Sequence, residues 1–211
     1  MTAAEIPAYL HREIHTVVMA VPDGDGLPVT CAIDIMDADE EGLYFLTARG
    51  KGFYDRLKRH GFLALTGLKG EDTMSRVAVS VRGKVRELGE GPLPRLFALN
   101  PYMREIYPTA ASQRALTVFQ LYEGSGEWFD LSKKPVERIP FSIGRAAGAR
   151  EGYRITAACT GCRACGAVCP QSCIDFPPSA PAVIRQENCL HCGNCMAACP
   201  HHAVVREGEV R

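Results

Sequence analysis

The sequence predicts a mainly β (α+β) protein, in which an antiparallel β-barrel is followed by a small C-terminal α+β domain. Turn signals separate short apolar stretches over most of the chain, and two cysteine-rich runs lie between residues 159 and 199. The length of 211 residues also exceeds the usual size of one domain. We therefore predict two domains, residues 1–145 and 153–211, joined by a short linker at 146–152.

The N-terminal elements follow from hydrophobic spacing and turn residues. Helices are predicted at Ile6–Ile14, Phe53–His60 and Leu93–Leu99. Strands are predicted at His15–Val21, Pro28–Ile35, Leu43–Thr47, Phe62–Leu68, Arg76–Leu88, Leu116–Tyr122 and Glu127–Leu131. A turn at Asp23–Gly26 predicts a hairpin of the first two strands, and Gly124–Gly126 predicts a hairpin of the last two. Six or seven antiparallel strands with a few short helices argue for a barrel rather than a parallel sheet.

The two cysteine runs carry the strongest functional signal. Each reads C-x2-C-x2-C-x3-C-P, with the thiols Cys159, Cys162, Cys165 and Cys169 in the first run and Cys189, Cys192, Cys195 and Cys199 in the second. Three thiolates at this spacing can wrap a compact loop around a cubane iron–sulfur cluster, and the fourth ligand must come from elsewhere. Structural zinc usually takes two separated pairs of ligands, and disulfide scaffolds are usually short exported chains, so we favour clusters over both.

Over residues 151–211 the runs resemble the bacterial two-cluster ferredoxins. The resemblance implies two [4Fe–4S] clusters, in which the last Cys of each run ligates the other cluster. It therefore implies one ligand set of Cys159, Cys162, Cys165 and Cys199, and a second set of Cys189, Cys192, Cys195 and Cys169.

An internal repeat extends beyond the ligands. At an offset of thirty residues, each half is expected to contain a cluster loop, a short helix and a short apolar strand. Cys173 falls where the second half has Ala203, at a position expected to be small and buried. We interpret Cys173 as a buried thiol that packs like a small apolar residue, and leave open a role as an alternative ligand.

The order of elements in residues 5–145 resembles that of the pyridoxamine 5'-phosphate oxidase-like split barrels, which bind FMN. The shared features are a strand ending in Phe-Leu-Thr at Thr47, a basic loop and helix, a long Val-rich strand, and a late helix followed by a Trp-bearing hairpin. The resemblance implies that Thr47, Arg49 and Lys51 hold the FMN phosphate. A hydroxyl, two cations and the N–H group of Gly50 near a helix start would also suit an anion on physical grounds alone.

The same resemblance implies the position of the flavin ring and the state of assembly. The strand around Val29, Thr30 and Cys31 is expected to pass the edge of the ring, and such barrels build the FMN site across a two-fold homodimer interface. Pro28 stands where the oxidases carry Arg, so the substrate stays open.

Clusters pass single electrons, whereas a flavin accepts one or two, so the pair would convert between one- and two-electron chemistry. We therefore expect an iron–sulfur flavoprotein oxidoreductase that passes electrons from a ferredoxin-type donor through two [4Fe–4S] clusters and FMN to a small organic substrate. The alternatives are a non-catalytic electron carrier or redox sensor, and a haem-binding split barrel.

Charge and chain composition bound the partners. Lys and Arg together number 24, as do Asp and Glu, so neither nucleic acid nor a membrane surface is an expected partner. The N-terminus lacks a basic start with a long apolar core, and the thiols need a reducing compartment, so we expect a cytoplasmic protein. His11 and His15 are expected to be surface or packing residues, and Trp128 to lie in the core or a dimer interface.

Overall fold

The structure, a computed structural model, describes residues 1–146, 151–178 and 181–208. Residues 147–150, in the predicted linker, lie outside the described residues. The chain divides into two compact units. The first comprises the described residues of Met1–Gly70, Ala78–Trp128 and Pro140–Gly148, and the second those of Glu71–Val77, Phe129–Ile139 and Ala149–Arg211. The domain bounds predicted from the sequence remain predictions.

Seven strands form one sheet, and six of them close into a barrel. The strands are β1 Thr16–Pro22, β2 Pro28–Asp39, β3 Gly42–Ala48, β4 Phe62–Lys69, β5 Val77–Gly89, β6 Leu116–Asp130 and β7 Glu137–Ile143. Their order is β3-β2-β1-β4-β5-β6-β7, and a further antiparallel pairing of β3 with β6 closes the first six. The β3–β6 pairing covers edges that would otherwise be free, although β2 pairs with β3 only from Ile35 to Asp39. The predicted mainly β fold with an antiparallel barrel is confirmed.

Short helices flank these strands. They are α1 Ile6–Tyr9, α2 Gly52–His60, α3 Leu93–Leu99, α4 Met103–Ile106 and α5 Ala110–Gln113. A π-helical turn, Leu10–Ile14, continues α1, so the predicted first helix is present as one helical segment. Gly61 ends α2 in the left-handed conformation, with φ of 59°, as its position after a basic last turn predicts. The helices α4 and α5 are too short to leave a periodic signal in the sequence.

Apolar side chains fill the barrel and one of its outer faces. Inside, Phe45 of β3 stacks on Phe119 of β6 with ring centroids 5.8 Å apart, and both rings are buried. On the outer face, Leu96 and Phe97 of α3 pack with Tyr44 of β3 in a second buried cluster. Because β3 is covered on both faces, its residues from Gly42 to Thr47 are all buried, which holds the start of the loop after it in place.

The predicted hairpin at Gly124–Gly126 is wrong, because β6 runs unbroken from Leu116 to Asp130. The glycines serve close packing instead of a turn. A Cβ on Gly124 would lie 2.7 Å from the carbonyl oxygen of Arg82, and one on Gly126 would lie 2.5 Å from the Phe141 ring. The strand that follows β6 and pairs with it is β7, which was not predicted because turn residues lie close to it in the sequence.

The second unit contains a small α+β fold with the predicted internal repeat. Its elements are β8 Gly152–Ile155, α6 Ala164–Ala167, β9 Ile174–Asp175, β10 Val183–Ile184, α7 Asn194–Ala197 and β11 Val204–Glu207. The strands pair antiparallel as β8 with β11 and β9 with β10. Each half thus consists of a cysteine loop, one helical turn and a short strand, and the buried cysteines form the core with apolar neighbours.

No helix in residues 1–146, 151–178 or 181–208 has both the length and the apolar character needed to span a membrane.

Candidate functional site

The two cysteine loops repeat each other in backbone conformation. Left-handed residues recur in three pairs at an offset of thirty: Gly161 (φ 74°) with His191 (55°), Arg163 (64°) with Gly193 (81°), and Ser172 (49°) with His202 (49°). Residues other than Gly seldom adopt this conformation, so its recurrence at matched positions indicates that the loop path requires it. The first two left-handed turns of each loop lie between its successive cysteines, and the third follows its last cysteine.

The eight thiols of the two runs line two cavities in groups of four. One cavity is lined by Cys169, Cys189, Cys192 and Cys195, and the other by Cys159, Cys162, Cys165 and Cys199. They contain about 330 and about 310 Å³ of empty space, part of it open to solvent. The structure therefore brings together the two sets that the crossover implies, and assignment of each thiol as a ligand remains a prediction.

Apolar side chains complete both cavities. They include Tyr153, Ile174, Ile184 and Leu190 at one, and Ile155, Phe176, Ala203 and Val204 at the other. One thiol of each group, Cys162 or Cys192, is exposed, so each cavity has a corner at the surface. An apolar shell with one exposed corner limits solvent access, which is one of the ways a protein sets the reduction potential of a metal site.

Hydrogen bonds favour the thiolate form of the fourth thiol in each group. N–H groups, led by that of Ala203, lower the pKa of the Cys199 thiol, and the Ala203 nitrogen lies 3.3 Å from its Sγ. Burial works against the charge of Cys169, but hydrogen bonds from Cys173 and its neighbours outweigh it and lower the pKa of the Cys169 thiol. Burial raises the pKa of the Cys165 and Cys195 thiols, which would need a metal to hold them as thiolates.

Structural zinc was one of the two alternatives to clusters for these cysteines, the other being disulfides. It would need four ligands around one point. Across the described parts of the chain, no three or more His, Cys, Asp or Glu side chains are grouped to hold one metal ion. What the described residues do form is two sets of four thiols around cavities, which is the donor set of a [4Fe–4S] cluster.

A second candidate site lies where β2 and β3 part in the barrel. The strand β2 pairs with β1 from Pro28 to Asp34, but with β3 only from Ile35 to Asp39. The stretch Val29–Cys31 therefore has a strand neighbour on one side only among the described strands, and Thr30 is exposed. Its outer edge has backbone N–H and C=O groups without a partner strand among the described strands, and contact of this edge with a flavin remains a prediction.

Thr47, the next-to-last residue of β3, has a buried and unsatisfied hydroxyl. The residue is 2% exposed, and its Oγ1 has no hydrogen-bond partner among the described residues. A buried polar atom without a partner is destabilising, and its presence in a native fold usually points to an absent ligand or a strained site. Beyond it, Gly50 has open space where a side chain would be, so a ligand can approach the loop backbone.

Arg49 is less available than the sequence suggested. Its Nη1 donates to Glu90 at 3.1 Å and to the carbonyl oxygen of Arg114 at 2.8 Å, and its Nε lies 4.0 Å from Glu87. Two carboxylates thus offset its charge. Sequence reasoning had missed both, because Glu87 and Glu90 lie about forty residues away and reach the loop only through the barrel.

A cation that was not among the predicted site residues, Arg56, lies near the same region. Arg56 of α2 reaches back so that its Nη1 would contact a Cβ on Gly52 at 3.3 Å, and its Nε is buried without a hydrogen-bond partner in the described chain. Burial raises the pKa of the Cys31 thiol, while the charges of Arg56 and Lys51 act to lower it, so both cations lie near β2. The sequence could have indicated this position, because Arg56 lies four residues after Gly52, the first residue of α2, and helical side chains point towards the helix start.

A polar cluster next to this strand was also missed. Tyr102 Oη donates to Asp34 at 2.7 Å and lies 2.9 Å from Nε2 of His15, whose φ is 61°. These contacts tie the segment before α4 to β2 and to His15, the residue just before β1, so His15 packs against its neighbours. Trp128 is likewise buried, against Tyr9.

Comparison with known families identifies the C-terminal part. Residues 158–203 match the 4Fe-4S dicluster domain family. No curated protein matches the chain with significant similarity.

Solved structures resemble the N-terminal part. A NimC/NimA family protein from Clostridium acetobutylicum is 14% identical, covers 67% of this chain and 92% of its own, and superposes with a TM-score of 0.57. A protein of the pyridoxinephosphate oxidase family from the same organism, related to general stress protein 26 of B. subtilis, is 17% identical over 64% of this chain and 91% of its own, with a TM-score of 0.51. A heme binding protein from Mycobacterium smegmatis is 11% identical over 65% of this chain and 57% of its own, also at 0.51. At such low identities the likeness shows the fold alone. The chain therefore joins a barrel with the pyridoxamine 5'-phosphate oxidase-like split-barrel fold to a 4Fe-4S dicluster domain.

Proposed function

We propose that this protein is an iron–sulfur flavoprotein oxidoreductase. The observation that carries the proposal is the grouping of eight thiols around two cavities in a domain of the 4Fe-4S dicluster family, on a chain whose barrel also holds the buried Thr47 hydroxyl without a partner among the described residues. Bound clusters would supply one-electron transfer and a bound FMN one- or two-electron transfer. Two molecules of a reduced ferredoxin-type donor would each give up one electron, and a small organic substrate would take up two electrons and two protons from solvent.

The barrel residues fit a flavin phosphate and ring edge. Thr47 would donate its free hydroxyl to a phosphate oxygen, and the N–H group of Gly50, a residue with open space where a side chain would be, would donate to the same ligand. Glu87 and Glu90 offset the charge of Arg49. Lys51 and Arg56 would therefore supply the positive charge that the phosphate needs. The one-sided stretch Val29–Cys31 would meet the polar edge of the ring through its backbone.

The cluster domain fits a soluble one-electron donor. Cys162 and Cys192 are exposed, so a donor that docks at either corner would come close to a ligand sulfur. Each filled cavity would add negative charge, which favours a donor with a positive docking surface. We place this activity in the cytoplasm, where thiols stay reduced.

We also propose a homodimer, because flavin sites in split barrels of this kind are completed by a second subunit. The stretch Val29–Cys31 supports this, since its outer edge has no strand neighbour among the described strands. Light scattering of the purified protein should give twice the mass of the chain, and a single-chain mass in the flavin-bound state would contradict the proposal.

Spectra of an oxygen-free preparation test the function against its rivals. A flavin band on a broad iron–sulfur absorbance, with FMN released by heating and identified by its mass, is the expected result. Iron–sulfur absorbance alone would favour an electron carrier or redox sensor. A sharp Soret band would favour a haem protein, which one structural neighbour is by its description.

A further inference from the structure

The two cysteine cavities differ at one buried position. The position four residues after the last cysteine of each run is buried in both halves. It is Cys173, 2% exposed, in the first half and Ala203, 1% exposed, in the second. The surrounding backbone is the same in both, since the N–H groups of residues 172 and 202 donate to the carbonyl oxygens of Cys169 and Cys199, each at 3.2 Å. The extra sulfur therefore distinguishes two cavities whose last cysteines are followed by the same backbone turn.

The Cys173 sulfur touches the fourth thiol of one cavity. Its Sγ lies 3.5 Å from Sγ of Cys169, and it lines the cavity that Cys169 shares with Cys189, Cys192 and Cys195. An iron-bound Cys169 has lost its proton and can only accept a hydrogen bond, so the proton between the two sulfurs belongs to Cys173. At the other cavity Ala203 offers its backbone N–H to Cys199, 3.3 Å away, but no side-chain donor.

We propose that Cys173 is a non-ligating thiol whose S–H donates to Cys169 Sγ and raises the reduction potential of the cluster in that cavity. A reduced cluster carries one more negative charge, and a donor to a ligand sulfur stabilises that charge, so the reduced state gains more than the oxidised one. The cavity without this donor lacks the effect. The inference rests on the cluster assignment in the proposed function, and it adds which of the two clusters receives this stabilisation.

Redox titration of the full-length, cluster-loaded protein, followed by electron paramagnetic resonance, tests the proposal. Removing the donor with Cys173→Ala should lower one of the two potentials and leave the other unchanged. A change of about two- to tenfold in the one-electron equilibrium constant corresponds to about 18 to 59 mV. Cys173→Ser keeps a hydroxyl donor and should retain part of the difference, which a loss of packing alone would not predict.

The repeat supplies a matched control. Ala203→Cys places a thiol at the equivalent site and should raise the potential that Cys173→Ala left unchanged. Iron and sulfide contents should equal those of the wild type in all three variants. A loss of iron in Cys173→Ala would make Cys173 a ligand and overturn the proposal. Intact clusters with unmoved potentials would refute this inference alone, whereas absence of clusters from the wild type would refute the cluster assignment and the inference with it.

Discussion

Two threonines that lie side by side on the paired strands β3 and β6 should respond in opposite ways to the same substitution. Thr47 of β3 and Thr117 of β6 are register partners, and both are buried. The Thr117 hydroxyl donates to Glu87 at 2.8 Å, whereas the Thr47 hydroxyl has no partner among the described residues. Valine has nearly the shape of threonine, so each substitution removes a hydroxyl and little else.

The magnitudes follow from these contacts. An unsatisfied buried hydroxyl costs about 1 to 3 kcal/mol, so Thr47→Val should raise the free energy of unfolding of the flavin-free protein by up to that amount. Thr117→Val removes a hydrogen bond to a carboxylate and should lower it by about 1 to 2 kcal/mol. This loss for Thr117→Val is small for a hydrogen bond to a charged group, because the Glu87 side chain is 17% exposed and keeps a hydrogen bond from Lys58.

Thr47→Val, the variant expected to be more stable, should be the one that binds FMN more weakly. Thr47→Val loses a hydrogen bond to a charged phosphate and should raise the Kd about tenfold or more, while Thr117→Val should change it less than threefold. Denaturant unfolding followed by the fluorescence of Trp128, the single Trp, and flavin titration measure the two effects. Equal destabilisation by both substitutions would show that the Thr47 hydroxyl is satisfied without a ligand. An unchanged FMN affinity in Thr47→Val would refute its role at the phosphate.

Two further predictions concern the ligand sets and the unforeseen cation. Because Cys159 and Cys199 line one cavity, the double variant Cys159→Ala/Cys199→Ala should keep about four iron ions per chain, whereas Cys189→Ala/Cys199→Ala should keep almost none. The reverse pattern in an iron assay would mean that each run ligates its own cluster. On α2, Arg56→Gln should weaken FMN binding about tenfold or more, since a charge near the phosphate is lost, while the exposed Arg59→Gln should change it little. Equal effects on the measured Kd would place Arg56 outside the site.

The cluster domain could be predicted in detail because its signals are local. The spacing within each run defines a loop, and the left-handed residues at 161 and 191 occupy matching places in the two loops. The barrel was predictable in outline, since alternation in β4 and β5 reports directly which face is buried. The bounds of α3 match the prediction because a helix stop follows it.

What escaped prediction depends on contacts between distant residues. Gly124 and Gly126 read as a turn in sequence, yet they make room for the neighbouring strand and for Phe141, which only the folded barrel reveals. The offset of the Arg49 charge by Glu87 has the same origin. The Thr47 hydroxyl could be named as a candidate from the sequence, but its lack of a partner depends on every neighbour in the sheet.

An anaerobic reductive titration tests the central claim most directly, because it counts electrons on one chain. A flavin takes two electrons and each of two [4Fe–4S] clusters takes one, so wild-type protein should take up about four electrons per chain, with flavin and iron–sulfur absorbance both bleached. An uptake of about two electrons per chain, with only one kind of absorbance changing, would contradict the presence of both cofactors on this protein.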